Sequence, residues 1–451
     1  MEGTKREGVA PGLSRSLGFP GVLGQSIAGE APTATPAVNV ALVFLAVGSG
    51  TWLVYALATL AILLVSLNIA PLAKATSGAG SLADFVGHGL GRTGKIFTGW
   101  ILLFTYLSTG VAVLVACVGY LASLLQSAGA VVPEVWLVAI VGAAASLLAL
   151  RNVRFSTGAM LAIESLSILL VLLLCTAILV RLGFKADLSQ FRLEGLSFSG
   201  VNGALLIGIL SFAGFETAAA LGDEAKDPLR SIPRALFATP AITGLFFVFT
   251  SYVLVLGFNH FSIDVAGSDT PLDILADRVQ RPELGILISF GATISLFGCT
   301  IATLVAASRA FFSLASQGAL PAQLTRVSPR SLIPGRAMWM SIIAVLATGM
   351  IFATFAKPMV IYDWLGSFAT FGFVSAYLLT CLSSAIVLRR TGRLDVRGGL
   401  VSGAAILVLL YVLVASIYPP PAAPLNLLPW LFATLVVIGS IASLVRWRTP
   451  N

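Results

Sequence analysis

Apolar residues occur along this chain in long uninterrupted stretches, with short polar segments between them. A helix needs about 20 apolar residues to cross a bilayer, whereas the strands of a membrane barrel alternate over about 10 residues. The pattern therefore predicts an all-α integral membrane protein. Its twelve predicted spans lie at about 17–45, 49–73, 94–126, 133–150, 155–181, 200–222, 233–257, 283–316, 336–356, 361–388, 400–418 and 427–446.

The basic residues predict the orientation of these spans. With the amino terminus in the cytosol, all but six of the 27 Lys and Arg residues fall on the cytosolic side, in agreement with the positive-inside rule. The six on the opposite side are Arg181, Lys185, Arg192, Arg278, Arg281 and Lys357. We therefore expect a protein of the cell (inner or plasma) membrane with cytosolic tails at 1–16 and 447–451.

Composition agrees with this class and excludes others. Hydrophobic residues make up 57% of the chain and charged residues 10%, whereas soluble domains carry about a quarter charged residues. The net charge of +8 follows from the loop asymmetry and implies no nucleic acid partner. The four cysteines are widely separated within predicted spans, so neither a disulfide framework nor a metal site is expected. No catalytic motif accompanies the two histidines, so we expect neither an enzyme nor a cofactor.

Two of the predicted spans are interrupted. In the sixth span the apolar run is broken by Gly214 and by the carboxylate of Glu216. The first span contains Glu30 and two prolines four residues apart, the first of which is Pro32. Proline removes a backbone donor and clashes with the preceding turn, so this helix is predicted to unwind at about Ala31 to Thr35. Non-helical backbone at this depth must line a cavity or be buried in protein, and acids there mark functional sites.

The two interrupted helices resemble each other. The segment SIAGEAPTA, from Ser26, is similar to SFAGFETAA, from Ser211, and each opens a block of five predicted spans. Paired broken helices in two halves of a chain indicate a secondary transporter site, where free helix ends attract the charged groups of a substrate. A zwitterionic amino acid suits such a site. Close packing of small residues is the simpler alternative, but it leaves the prolines and carboxylates unexplained.

Two longer motifs carry a more specific resemblance. The segment FAGFETAAALGDEAKDPLRSIPRAL, residues 212–236, resembles the sixth helix and following loop of the amino acid–polyamine–organocation (APC) superfamily. A second segment, SRAFFSLASQGALPAQLTRVSPRSLIPGRA at 308–337, resembles the exit of its eighth helix. The resemblance implies the LeuT-type fold. In that fold, inverted five-helix repeats at 17–181 and 200–388 have discontinuous helices 1 and 6, and two extra helices follow at 400–446.

The resemblance also implies a function, which is secondary active transport of amino acids or related amines by alternating access. The substrate would bind between helices 1 and 6, with proton- or sodium-coupled symport. Two alternatives stay open: an exchanger of amino acids or polyamines, and an amino acid sensor that does not transport. The expected partners are a small amino acid or amine, H⁺ or Na⁺ as the coupling ion, and the lipid bilayer, with the protein as a monomer or homodimer.

The family pattern implies which residues contact the substrate. They lie in the two breaks and on the third span, and are Ala31, Pro32, Thr33, Ala34, Thr35, Tyr106, Gly110, Phe212, Ala213, Gly214 and Phe215. Of these, Phe212 is expected to cover the substrate. Many relatives have glycines in the first break where this chain has Pro32 and its neighbours, so its backbone path depends on the prolines instead.

A second group of residues is expected to act in coupling or gating. Relatives have an acid at Glu216, which is expected to hold the unwound backbone. Glu30 is unusual for the family and is expected to titrate or to pair with a cationic substrate group; the alternative is a carboxyl kept protonated by hydrogen bonds to Thr and backbone.

Glu164 and Ser167 share a face of the fifth span, where several relatives have a lysine in place of Ser167. Without that lysine, the charge would come from a proton on Glu164 or from a sodium ion. The sodium ligands would be Ser167, Thr300, which follows Cys299, and Thr303. These hydroxyls have an alternative in bonding to their own helices.

Overall fold

The chain forms a helical bundle in a computed structural model. The structure describes residues 17–75, 81–151, 157–192, 196–221, 225–266, 268, 270–327 and 334–448. The predicted tail at 1–16 and most of that at 447–451 lie outside these ranges. Within them, the one strand-like pairing is an isolated bridge between Leu17 and Ala225, where the Lys226 N–H donates to the Leu17 carbonyl at 2.9 Å.

Helices account for most of the described chain. In order they are α1 Phe19–Glu30, α2 Val40–Val47, α3 Thr51–Ala75, α4 Leu82–Ser127, α5 Glu134–Leu150, α6 Thr157–Arg181, α7 Ser189–Arg192, α8 Phe198–Leu210, α9 Pro228–His260, α10 Pro271–Arg278, α11 Pro282–Ser316, α12 Gly335–Phe352, α13 Pro358–Arg390, α14 Val396–Ala415 and α15 Leu428–Arg448. A π-helical turn covers Thr35–Asn39, and 3₁₀-helices cover Gly48–Gly50, Phe215–Leu221, Ala322–Thr325 and Leu425–Leu427. The prediction of an all-α protein is confirmed.

The long helices correspond to the predicted spans. Ten helical segments of the described chain are long and apolar enough to cross a membrane. One of them, Phe19–Lys74, is 56 residues long and contains the first two predicted spans. The fourth predicted span is α5, an apolar helix of 17 residues. Together these segments give the twelve predicted passes.

The centre of the bundle is built where α4 packs along α13 and α11, and where α3 packs along α9. Glycines allow close approach at these crossings. A Cβ atom at Gly372 of α13 would lie 1.7 Å from the Thr105 hydroxyl oxygen of α4, and one at Gly244 of α9 would lie 2.3 Å from Thr59 of α3. Such close contact between backbones is the main source of helix association in lipid. Peripheral α14 and α15 instead expose large apolar residues such as Leu407 and Ile438.

The helix α4 contains a break that the apolar pattern does not predict. At Gly91 the backbone is non-helical (φ 71°, ψ −168°), so residues 82–90 form a separate short helix before the third span. Ser383 of α13 is inserted into this short helix. Its hydroxyl accepts from the Gly89 N–H at 3.0 Å and donates to the Phe85 carbonyl at 2.6 Å, so it bridges two residues one helical turn apart.

This inserted contact leaves no room for a side chain at Gly89. The Cβ atom of a Gly89→Ala variant would lie 2.7 Å from the Ser383 Cα and 2.8 Å from its carbonyl oxygen. We expect the substitution to destabilise the protein by about 1–3 kcal/mol, because backbone atoms must shift to relieve the overlap. The measurement is the melting temperature of the purified protein in detergent.

Gly203→Ala on α8 is the matched control, because nothing lies within 4 Å of its Cβ position. Alanine there improves helix propensity by about 1 kcal/mol, so the melting temperature of the control should stay the same or rise. Equal melting temperatures for the two variants would contradict the packing argument.

Candidate functional site

The first break separates α1 from the π-helical turn. After Glu30, Ala31 takes up a left-handed conformation (φ 49°, ψ 59°), and its N–H donates to the Ala28 carbonyl at 3.3 Å. Pro32 then has no N–H with which to continue the helix. Helical structure resumes at Thr35. The predicted unwinding of this helix is confirmed.

The second break follows α8. After Leu210 the chain makes a turn through Gly214, whose φ of 110° is rarely open to residues with a side chain. The 3₁₀-helix that starts at Phe215 continues the sixth span in a tighter form than an α-helix. The sixth span is therefore discontinuous, as predicted.

The two breaks cross each other in direct contact. A Cβ atom at Gly214 would lie 2.3 Å from the Gly29 carbonyl oxygen, and one at Gly29 would lie 2.6 Å from the Thr217 hydroxyl oxygen. Beside this crossing, the Ser26 hydroxyl donates to the Phe215 carbonyl at 2.9 Å. Glycine at position 214 is thus a steric requirement of the crossing, because its neighbours there are backbone atoms, whereas a side chain at position 29 would first displace the Thr217 hydroxyl.

A cavity of about 40 Å³ lies beside the crossing. Its wall includes Ala31, Ala34 and Thr35 of the first break and Ala213 of the second. In this arrangement it has room for a few water molecules, so binding an amino acid requires a wider cavity. The end of α1 contributes a partial negative charge to this wall, and the start of the π-helical turn contributes a partial positive charge. The charges at the wall therefore suit a small molecule that carries an ammonium and a carboxylate group, in an arrangement in which the cavity is wider.

Several residues expected at the substrate lie outside the wall of this cavity. These are Pro32, Thr33, Tyr106, Gly110, Phe212, Gly214 and Phe215. Phe212 is fully buried and meets Phe247 edge to face at 5.1 Å between ring centroids, so in this closed arrangement it packs on α9. Tyr106 meets Phe373 edge to face at 6.2 Å. The wall is instead completed by residues of other helices, among them Thr109, Cys299 and Tyr362.

Glu30 is the last residue of α1 and lines the cavity. Its side chain is buried, with 6% of its surface exposed. One carboxyl oxygen, Oε1, lies 3.2 Å from the Thr243 hydroxyl of α9. The other, Oε2, has no hydrogen-bond partner among the described residues. A buried carboxyl oxygen without a protein partner is available to bind a proton, or a ligand once the neighbouring cavity widens to reach it.

Glu216 has a different environment, in which its contacts are to the break itself. Its Oε2 accepts from the Gly214 N–H at 3.1 Å and from the Tyr377 hydroxyl at 3.0 Å. The ring of Tyr377 also packs against Phe215 at 5.7 Å. These contacts attach the second break to α13.

Glu164 of α6 joins the first break to α11. Its Oε2 accepts from the Thr33 hydroxyl at 2.9 Å, and its Oε1 accepts from the Ser295 hydroxyl. Both donors are buried. The sequence pattern identifies Glu164 but gives no indication of Ser295 as its partner.

The three hydroxyls expected to hold a sodium ion are not brought together. Ser167 faces α11 at Gly291, where a Cβ atom would lie 2.7 Å from its Oγ. Thr300 is nine residues further along α11, a distance of about 13 Å at 1.5 Å per residue. Thr300 donates to the Leu296 carbonyl at 2.9 Å, and Thr303 donates to carbonyls of its own helix. In this arrangement the two threonine hydroxyls are therefore used in hydrogen bonds within their own helix.

A polar chain at the cavity wall was missed by the sequence reasoning. The Tyr362 hydroxyl donates to Asn39 Oδ1 at 2.7 Å, and Asn39 Nδ2 donates to the Ser211 hydroxyl at 2.8 Å. All three residues line the cavity and connect the π-helical turn, the second break and α13. The sequence did carry a signal for this polar chain, because the amide side chain of Asn39 lies within an apolar span.

Comparison with known proteins agrees with this architecture. The sequence model of the family described as "Amino acid permease" matches residues 21–438. The chain is 25% identical to the branched-chain amino acid permease BcaP of Bacillus subtilis (strain 168), over 76% of this chain and 74% of that protein. It is 26% identical to the D-serine/D-alanine/glycine transporter of Escherichia coli (strain K12), over 66% of this chain and 63% of that protein. It thus spans just under two thirds of the length of the latter.

A solved structure supports the fold. The crystal structure of a mutant manganese transporter from Eremococcus coleocola superposes with a TM-score of 0.59, covering 98% of this chain and 97% of that one, at 13% sequence identity. At this identity the similarity bears on the fold alone. The family match extends over most of the chain and includes both broken helices. This chain is therefore a multi-pass membrane protein that belongs to the amino acid permease family of the APC superfamily.

Proposed function

We propose that this chain is a secondary active transporter for amino acids or related amines, which binds its substrate between the broken first and sixth helices and works by alternating access. The observation that carries the proposal is the crossing of the two breaks beside a small cavity. In transporters of this type, discontinuous helices at the midplane form the substrate site. Amino acids as the substrate class are supported by the relatives, which are described as a branched-chain amino acid permease and a D-serine/D-alanine/glycine transporter.

The binding mode follows from the helix ends at the cavity. The substrate ammonium group binds at the end of α1, where the last carbonyls and Glu30 lie. The carboxylate binds toward the start of the π-helical turn, near Thr35. The unbonded Oε2 of Glu30 supports the former placement, because it needs a donor that the described protein residues do not supply.

The three central acids take different roles in this proposal. Glu216, which accepts from the Gly214 N–H, holds the second break in place. Glu164 ties the first break to α11. Glu30 is the coupling group, through the proton that its carboxyl group can hold or release. Exchange of one substrate for another is the second candidate, and it is favoured by the absence of a Lys, Arg or His among the described residues that line the cavity.

We further propose that the protein lies in the cell membrane with both termini in the cytosol. The Lys and Arg distribution supports this orientation. In it, the bridge between Leu17 and Ala225 lies at the cytosolic end of the bundle.

Uptake into proteoliposomes tests the transport function. We expect the purified protein to take up at least one labelled amino acid or amine from a panel, and we expect an imposed sodium gradient to leave the rate unchanged. The separation of Ser167 from Thr300 is the physical reason to expect no response to sodium. Binding of a panel member without uptake would favour a sensor, and stimulation by sodium alone would contradict the assignment of Glu30.

The crossing of the two breaks predicts the effect of a single methyl group. In a Gly214→Ala variant the Cβ atom would overlap the Gly29 carbonyl oxygen, and the φ of 110° would be strained. We expect uptake to fall by at least about tenfold, which corresponds to a loss of about 1.4 kcal/mol from the productive arrangement. Gly203→Ala, outside the crossing, is the control and should transport normally. Wild-type uptake by the Gly214→Ala variant would show that the crossing is not part of the transport cycle.

A further inference from the structure

Glu30 is unusual in the charges that surround it. Among the described residues that line the cavity it is the one carboxyl group, and no Lys, Arg or His accompanies it. The titratable groups around it are Glu216 on the 3₁₀-helix, Glu164 on α6, Cys299 on α11, and Tyr362 and Tyr377 on α13. The charged residues of α9, which packs against α1, are Arg230, Arg234 and His260, and all three are exposed near its ends. A negative charge on Glu30 therefore has no fixed positive group beside it in the described cavity.

The hydrogen bonds of Thr243 leave room for a proton on Glu30. The Thr243 hydroxyl oxygen lies 2.9 Å from the Thr239 carbonyl oxygen and 3.2 Å from Glu30 Oε1, and it can donate to either. A hydroxyl group has one hydrogen, and a carbonyl oxygen can only accept. With an ionised Glu30, Thr243 would have to share that hydrogen between two acceptors. A protonated Glu30 that donates to the Thr243 oxygen would satisfy both contacts.

The other two central acids have the opposite pattern. Glu164 receives one hydrogen from Thr33 and one from Ser295, and neither hydroxyl has a second acceptor among the hydrogen bonds of the described residues. Glu216 receives hydrogens from Gly214 and Tyr377. Two donors suit an ionised carboxylate, which only accepts. Glu30 is therefore the acid whose proton can be exchanged for another positive group in the cavity.

We propose that the cavity, in its closed state, always holds one positive charge at Glu30. When the cavity is empty or holds a net-neutral zwitterion, this charge is a proton on Glu30. When the cavity holds an amine of net charge +1, the charge is the cationic group of that substrate. This inference rests on the proposed transport function and specifies its substrates and coupling. The physical reason is the cost of an unpaired buried charge, which amounts to several kcal/mol and makes a closed state with a bare Glu30 carboxylate rare.

The proposal gives each substrate class its own ion balance. A zwitterion crosses while the proton stays on Glu30 in both directions, so no net proton moves. A cation that binds from outside displaces the Glu30 proton to the outside. After the cation leaves to the inside, Glu30 takes a proton from the inside and carries it back. One cation therefore enters for each proton that leaves, and no net charge crosses.

Two matched substrate pairs test this balance. Purified wild-type protein in liposomes that contain a trapped pH dye is given L-lysine or the similarly long neutral L-norleucine, and L-arginine or neutral L-citrulline. We expect each cation to enter with loss of one proton from the lumen, faster with an acidic lumen and without response to a potassium diffusion potential. The neutral partners should enter without a change in lumenal pH.

The Glu30→Gln variant tests the residue. Its amide can donate to Thr243, but it cannot give up a proton or pair with a cation. We expect the ratio of lysine to norleucine uptake to fall by at least about tenfold, equivalent to about 1.4 kcal/mol of lost pairing. Glu283→Gln is the matched control. Glu283 is an exposed acid at the start of α11, so its removal should leave the ratio unchanged.

The results distinguish this inference from the transport function itself. Accumulation of norleucine together with protons in an alkaline lumen would establish proton symport. It would overturn the proposal of one constant positive charge at Glu30, but it would leave the transport function supported. Uptake of the neutral amino acids without either cation would also overturn that proposal. Failure of the wild type to move any probe would count against the transport function as well. The wild-type proton measurements decide between these outcomes even where the variant folds poorly.

Discussion

The structure depends on the need to satisfy backbone hydrogen bonds inside a bilayer. Each broken helix leaves peptide groups without helical partners at a depth where water is absent. The first break closes short turns on itself, from Ala31 to Ala28 and from Ala34 to Ala31. The second uses a side chain, because Glu216 accepts from the Gly214 N–H. The two breaks then bury each other at the Gly29 crossing, so each one supplies the protein surroundings that the other requires.

That arrangement explains why three buried acids differ although they lie close together. Burial alone disfavours charge on all of them, and the donors around each one set the balance. Glu164 and Glu216 each accept two hydrogens from residues that also position a break. Glu30 lines the cavity with one contact to Thr243 and one buried oxygen that has no partner among the described residues. The first two are therefore structural connections, and Glu30 is the acid left for an exchangeable partner.

The sequence was sufficient to predict the spans and both breaks, because long apolar runs, Pro32 and Gly214 have direct local consequences for the backbone. It was not sufficient to predict the contacts between distant segments. Thr243 and Ser295 are hydroxyl residues in apolar helices, and such residues usually bond within their own helix whether or not they also reach another one. For the same reason the sodium ligands inferred from the family were not brought together. The break at Gly91 was missed because a lone glycine in a mainly helical pattern is normally tolerated.

The bridge between Leu17 and Ala225 bears on how the cavity can open. With the Ser26 bond to Phe215 and the crossing of Gly29 with Gly214, it gives α1 three attachments to the sixth span and the segment after it, spread over the length of α1. A hinge movement of α1 alone would break all three at once. If α1 and the 3₁₀-helix Phe215–Leu221 rotated together as one rigid body relative to α4, α11 and α13, all three attachments would stay intact.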